Sequence, residues 1–279
     1  MSAPEPAVEV RDLSLAFPGK ERGESIPVLE KVSLCVAPGE LVCIVGPSGC
    51  GKSTLLNVIG GFLPAGSGSV RVQGEPVRGP DRRRIFVFQE NGVFPWLTVQ
   101  ENVGFGLSRV DSGERERTVA HYVAMVGLRG FERAYPRELS GGMRQRVEIA
   151  RALAPNPELI YMDEPFGALD FLTRLKMRAD LVRIWQRERK TILFVTHDIE
   201  EAVQIADRVV VLGPRPATIV EQVEVALPRP RDLDDPRYLA VRDRIFAALG
   251  MNAHAGGEVE QDGPGGSAAG PSQARTQEA

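Results

Sequence analysis

The chain has 279 residues, 43% of them hydrophobic and 25% charged, which is enough apolar material for one sizeable core or two modest ones. Lys and Arg number 34 against 37 Asp and Glu, giving a net charge of −3, and no long basic run offers the electrostatic footprint of a nucleic-acid binder. The N-terminus MSAPEPAVEV has neither the basic nor the apolar region of a signal peptide, and no run of about 18 apolar residues follows it, so the sequence predicts a cytoplasmic chain that spans no membrane.

Five short apolar runs, at residues 41–45, 85–88, 159–162, 192–195 and 209–212, have the length and character of buried parallel strands. Segments of helical period lie between them, such as Val119, Tyr122, Val123 and Val126, or Val147, Ala150 and Leu153. Strands alternating with helices predict an α/β core with a parallel sheet. The interval from Gln89 to Pro157 is too long for one crossover and predicts an inserted helical subdomain over about residues 90–157. After a proline-rich connector at 228–236, Tyr238, Val241, Ile245 and Leu249 mark an amphipathic helix closed by Gly250. Residues 251–279 contain no aromatic side chain and only Val259 among Val, Ile and Leu, so they predict a disordered tail. Cys35, Cys43 and Cys50 are too few for a disulfide framework or a zinc cage and read as reduced thiols.

Directly after the first run stand Gly46, Pro47, Ser48, Gly49, Cys50, Gly51, Lys52, Ser53 and Thr54, followed by a helical segment. This fits the P-loop pattern in its strand–loop–helix context. Glycines let the backbone N–H groups turn inward toward phosphate oxygens, and the helix N-terminus adds positive potential. Lys52 would reach the terminal phosphates and Ser53 would ligate Mg²⁺. Cys50, beside Lys52 and a helix N-terminus, has a setting that favours the thiolate, with a buried, inert thiol as the alternative.

The run at 159–162 ends in Asp163 and Glu164, which sets carboxylates at the carboxyl edge of the sheet, where doubly wound folds bind ligands. Asp163 would hold Mg²⁺ and Glu164 would act as general base on the attacking water. Gln89 follows the second run, and Thr196, His197 and Asp198 follow the fourth. One polar strand end means little, but four that deliver Lys52, Gln89, Asp163 with Glu164, and His197 to one sheet edge compose a phosphoryl-transfer site. His197 would hydrogen-bond the γ-phosphate. Farther along, Leu139, Ser140, Gly141, Gly142 and Met143 precede a helical run, with Ser140 as N-cap and two glycines that expose the helix-terminal N–H groups to an anion.

These motifs, together with Ala168, Leu169 and Asp170, stand in the order and spacing of ABC transporter ATPase subunits, and the resemblance covers about residues 7–249. It implies an α/β P-loop NTPase (RecA-like) fold over residues 1–250, with a parallel-sheet core, an N-terminal antiparallel β region and the inserted α-helical subdomain. It implies ATP and Mg²⁺ as ligands, with Gln89 joining Ser53 and Asp163 at the metal. Ser140, Gly141 and Gly142 resemble the signature motif, which closes on ATP bound to a second ATPase subunit in a head-to-tail dimer. Asp170 resembles the residue that couples the two sites, and Phe17 the aromatic that stacks on adenine, although Phe17 also suits the core. The segment around Gln89 resembles the one that touches a transmembrane permease, placing the chain at the cytoplasmic membrane face. Met143 stands where the commoner signature has glutamine, a change that spares the backbone and serine contacts.

More locally, Phe166 to Asp170, Thr191 to Ala202, and Pro214, Arg215 and Pro216 resemble the nitrate, sulfonate and taurine importer branch, which works with a permease and an external solute-binding protein. Two other classes compete. A non-transport ABC ATPase of DNA repair or translation would carry a coiled-coil insertion or two cassettes, and a P-loop kinase or GTPase would leave Gln89, His197 and the signature unexplained.

Overall fold

The computed structural model describes residues 5–21, 23–88 and 92–251. In chain order its first half comprises β1 (Val8–Pro18), β2 (Ser25–Val36), β3 (Leu41–Val45), α1 (Lys52–Gly60), β4 (Ser67–Val72), β5 (Glu75–Pro76) and β6 (Arg84–Val87). Three α-helices follow: α2 (Val99–Val103), α3 (Ser112–Met125) and α4 (Gly141–Leu153). The remainder is β7 (Leu159–Asp163), α5 (Phe171–Glu188), β8 (Thr191–Val195), α6 (Ile199–Ile205), β9 (Arg208–Leu212), β10 (Ile219–Glu224) and α7 (Pro236–Ala248).

The five apolar runs become β3, β6, β7, β8 and β9 of a six-stranded sheet ordered β10-β9-β3-β8-β7-β6, parallel except for the β10–β9 pair. Their continuous apolar character follows from burial on both faces. Val42, Ile44, Tyr161, Leu193 and Val210 alternate onto one face, where they meet α1 and the second sheet. Cys43, Ile160, Phe194, Val209 and Val211 turn to the other face and meet α5, α6 and the helices of residues 99–153. Each strand supplies both cores, so a register slip would misplace two layers at once.

The second sheet, β2-β1-β4-β5, is antiparallel and contains the N-terminal strands. It agrees with the β region implied by the resemblance. Between β6 and β7 lie α2, α3 and α4, as the length of that interval predicts. Thr98 caps α2 through a reciprocal bond with Glu101. Buried Asn102 fixes the chain leading into that helix: its Oδ1 accepts from the Phe94 N–H at 2.8 Å, and its Nδ2 donates to the carbonyls of Phe94, Leu97 and Thr98. Removing the amide would strand several buried main-chain groups. The residues beyond Met251, where the tail is expected, lie outside the described residues.

Candidate functional site

The P-loop runs from β3 into α1, and its glycines answer specific constraints. Gly49 and Gly51 have φ of 74° and 121°, the left-handed region that favours glycine. A Cβ on Gly51 would also lie 2.9 Å from a Val28 methyl, and one on Gly46 would lie 2.7 Å from the Leu212 carbonyl. Lys52 opens α1 and is buried; its Nζ donates to the carbonyls of Gly46 at 2.9 Å and Pro47 at 3.0 Å, so the ammonium sits inside the loop's curve.

Cys50 takes the second of its two readings, the buried thiol. Only 2% exposed, its thiol is pushed up from its ordinary value by burial first, and the nearby Lys52 charge and main-chain hydrogen bonds do not offset this. The thiolate expected beside a helix N-terminus is therefore disfavoured: proximity in sequence to positive potential is outweighed by loss of water.

β6, β7, β8 and β3 are adjacent and parallel, and Asp163 and Ile44 both pair with Val195 in register, so the loops after these strands share one edge. Burial raises the Asp163 carboxyl, while the Ser53 hydroxyl and the Lys52 charge pull it down and the Glu164 charge adds to the rise. Asp163 thus senses both P-loop residues proposed for phosphate and Mg²⁺. Glu164 takes a left-handed backbone with φ of 46°, held by its N–H to the Val195 carbonyl at 2.9 Å. This turn directs its carboxylate to His197, whose Nδ1 lies 3.0 Å from Glu164 Oε2. Gln89 lies outside the described residues.

Ser140 caps α4, its Oγ accepting from the Met143 N–H at 3.3 Å. Gly142 packs against α5: a Cβ there would lie 2.6 Å from the Thr173 methyl, whereas Gly141 has ordinary clearance. Thr173 is itself the residue whose N–H caps onto Asp170 at 3.1 Å, so the first turns of α4 and α5 meet. Phe17 is half-buried on β1 and packs against the edge of the second core.

Sequence reasoning passed over three polar groups. Arg178 on α5 and Glu201 on α6 form a buried ion pair at 3.0 Å, and Glu148 on α4 is a buried carboxyl with Oε1 unpartnered. The spacing of Asp198 and Glu201, an N-cap with an acid at its third helical position, was the one local signal for any of them.

Comparison with known proteins agrees with this geometry. A family model described as ABC transporter matches residues 29–167. The chain is 49% identical over 253 residues to a nitrate import ATP-binding protein of Synechocystis, covering 87% of this chain and 94% of the relative. It is 45% identical over 233 residues to a taurine import ATP-binding protein of Escherichia coli, covering 80% and 91%. Among solved structures, a dimeric ATP-binding cassette in a post-hydrolysis state, bound to ADP and phosphate, aligns with a TM-score of 0.67 and 33% identity over 79% of this chain and all of that one. With its P-loop, acidic strand end and capped glycine helix on one α/β scaffold, the chain belongs to the ABC transporter family as an ATP-binding, ATP-hydrolysing subunit.

Proposed function

We propose that this chain powers import of a small solute such as nitrate or taurine, working as a pair of ATPase subunits on a transmembrane permease supplied by an external binding protein. The observation that carries the site assignment is the Glu164–His197 contact at the sheet edge shared by Lys52 and Asp163. The importer class rests on the relatives' names, and these also disfavour the repair and translation alternatives.

The P-loop N–H groups and Lys52 bind the phosphates of ATP. Hard oxygen donors from Ser53 and Asp163 suit Mg²⁺, which is held by few protein ligands when phosphates supply the rest, and Gln89 would complete the set. When bound, the metal neutralises charge developing on the phosphates. Glu164 accepts a proton from the attacking water, and His197 orients Glu164 and the terminal phosphate. Ser140, Gly141 and Gly142 present the α4 N-terminus to ATP held by the other subunit, Asp170 links the two sites, and Phe17 stacks on adenine.

No helix among the described residues is long and apolar enough to cross a membrane, so coupling requires a docking face. Trp96 and Phe105, exposed by 70% and 56%, both pack against the Phe94 ring and form the face proposed for the permease. The chain then sits on the cytoplasmic side of the membrane. Co-purification with the permease and reconstitution in vesicles tests this: nitrate or taurine, presented with its binding protein, should stimulate ATP hydrolysis. ATPase activity that no external solute alters would overturn the importer reading.

A further inference from the structure

Arg178 lies two turns into α5 and is 5% exposed, yet its guanidinium serves no surface role. It donates to Asp198 Oδ2 and, through Nε, to Glu201 Oε1 at 3.0 Å. Asp198 and Thr196 flank His197. Asp198 Oδ1 accepts from the Glu201 N–H at 3.0 Å, the Asp198 N–H donates to Thr196 Oγ1 at 3.0 Å, and the Thr196 hydroxyl donates to Glu201 Oε2 at 2.5 Å. Both neighbours of His197 are thus closed into a ring of hydrogen bonds whose cation, Arg178, comes from another helix, with Arg174 of that helix standing 4.0 Å from Asp198 without a hydrogen bond to it. His197 itself has a side chain 61% exposed, so packing does not set its direction; the fixed backbone on either side does.

Stability alone explains this arrangement poorly. Taking a carboxylate and a guanidinium out of water costs about as much as their attraction returns, and apolar residues of similar volume would join α5 to α6 equally well. What apolar residues would not supply is directional hold on residues 196–198.

We propose that Arg178 is a positioning residue for ATP hydrolysis, clamping the loop that aims His197 at Glu164. The inference rests on the proposed role of His197. Loss of the clamp should leave the P-loop and its ATP affinity intact while His197 samples unproductive directions.

The test is a double-mutant cycle on the full-length chain, with rates counted per folded molecule by circular dichroism at the assay temperature. Arg178→Met should lower kcat roughly 10- to 100-fold, the scale of a small misplacement, with ATP affinity within about threefold of wild type. Arg178→Lys should recover part of the loss. Should Arg178→Met fold poorly with two acids left beside it, Arg178→Met combined with Glu201→Gln balances the charge and should show the same kcat defect. In a His197→Ala background, any Arg178 substitution should reduce kcat by less than about twofold further, because its target is gone. Losses that multiply, or a wild-type kcat in the charge-balanced double variant, would overturn the inference. Wild-type turnover by His197→Ala alone would instead remove the role of His197 on which it rests.

Discussion

His197 Nδ1 lies 3.0 Å from Glu164 Oε2, and since an ionised carboxylate can only accept, Nδ1 carries the proton of that bond. The contact therefore sets the direction of the carboxylate. Glutamine can preserve this contact, because its amide oxygen accepts from the same N–H, but it cannot take a proton from water at neutral pH. Glu164→Gln is accordingly expected to keep ATP affinity and lose hydrolysis by roughly 10²–10⁴-fold. ATP that is bound and not consumed should hold two subunits together, so MgATP should shift this variant from monomer to dimer in analytical ultracentrifugation. Hydrolysis at the wild-type rate would exclude Glu164 as the base.

Burial of Cys50 favours the inert thiol over the reactive one, the two readings that its place in the P-loop leaves open. N-ethylmaleimide should modify exposed Cys35 first, and ATPase activity should persist through that phase. Cys50, whose thiol is both raised and covered, should react far more slowly. Peptide mapping over time checks this: inactivation in step with early Cys50 labelling would contradict it.

Glu148, 1% exposed on α4, has its carboxyl pushed up from 4.5 to about 7 by burial, with the Arg151 charge opposing but not cancelling the rise. Between those two values the folded chain binds more protons at this site than the unfolded chain, so this contribution to stability is present at the acid end and is lost as pH rises to about 7. Glu148→Gln cannot ionise and escapes that loss. Its stability relative to wild type should climb by on the order of 3 kcal/mol between about pH 4.5 and 8, using 1.36 kcal/mol per pKa unit. Urea denaturation at several pH values measures the difference, and a flat difference would show that Glu148 titrates normally.

The parallel strands were legible in the sequence because both their faces are buried, which leaves continuous apolar runs with polar residues only at the carboxyl ends. The same pattern exposed Lys52, Asp163, Glu164 and His197 as strand-end residues that converge. β1 was harder to read: its register against β2 shifts between Val10 and Leu13 and again around Leu15, so its alternation breaks where a period of two is sought. Arg178 reads as a surface residue of an amphipathic helix; only the fold brings the acids of residues 198 and 201 to it. Cys50 stayed ambiguous because helix position and a neighbouring lysine are local signals, while Val28 and Leu29, which stand beside Gly51 of the loop, come from a strand some twenty residues earlier.

The left-handed backbone of Glu164 sets the catalytic role proposed for this residue against thermal robustness. A glutamate at φ of 46° is held in a conformation that asparagine adopts more readily, and its charge also raises the carboxyl of adjacent Asp163. Glu164→Asn relieves both burdens and should raise stability by up to about 1 kcal/mol, a higher melting temperature in calorimetry, while turnover collapses for want of a carboxylate. A library of this chain selected only for heat resistance should therefore accumulate inactive proteins altered at residue 164, and a selection that also demands transport should keep the glutamate.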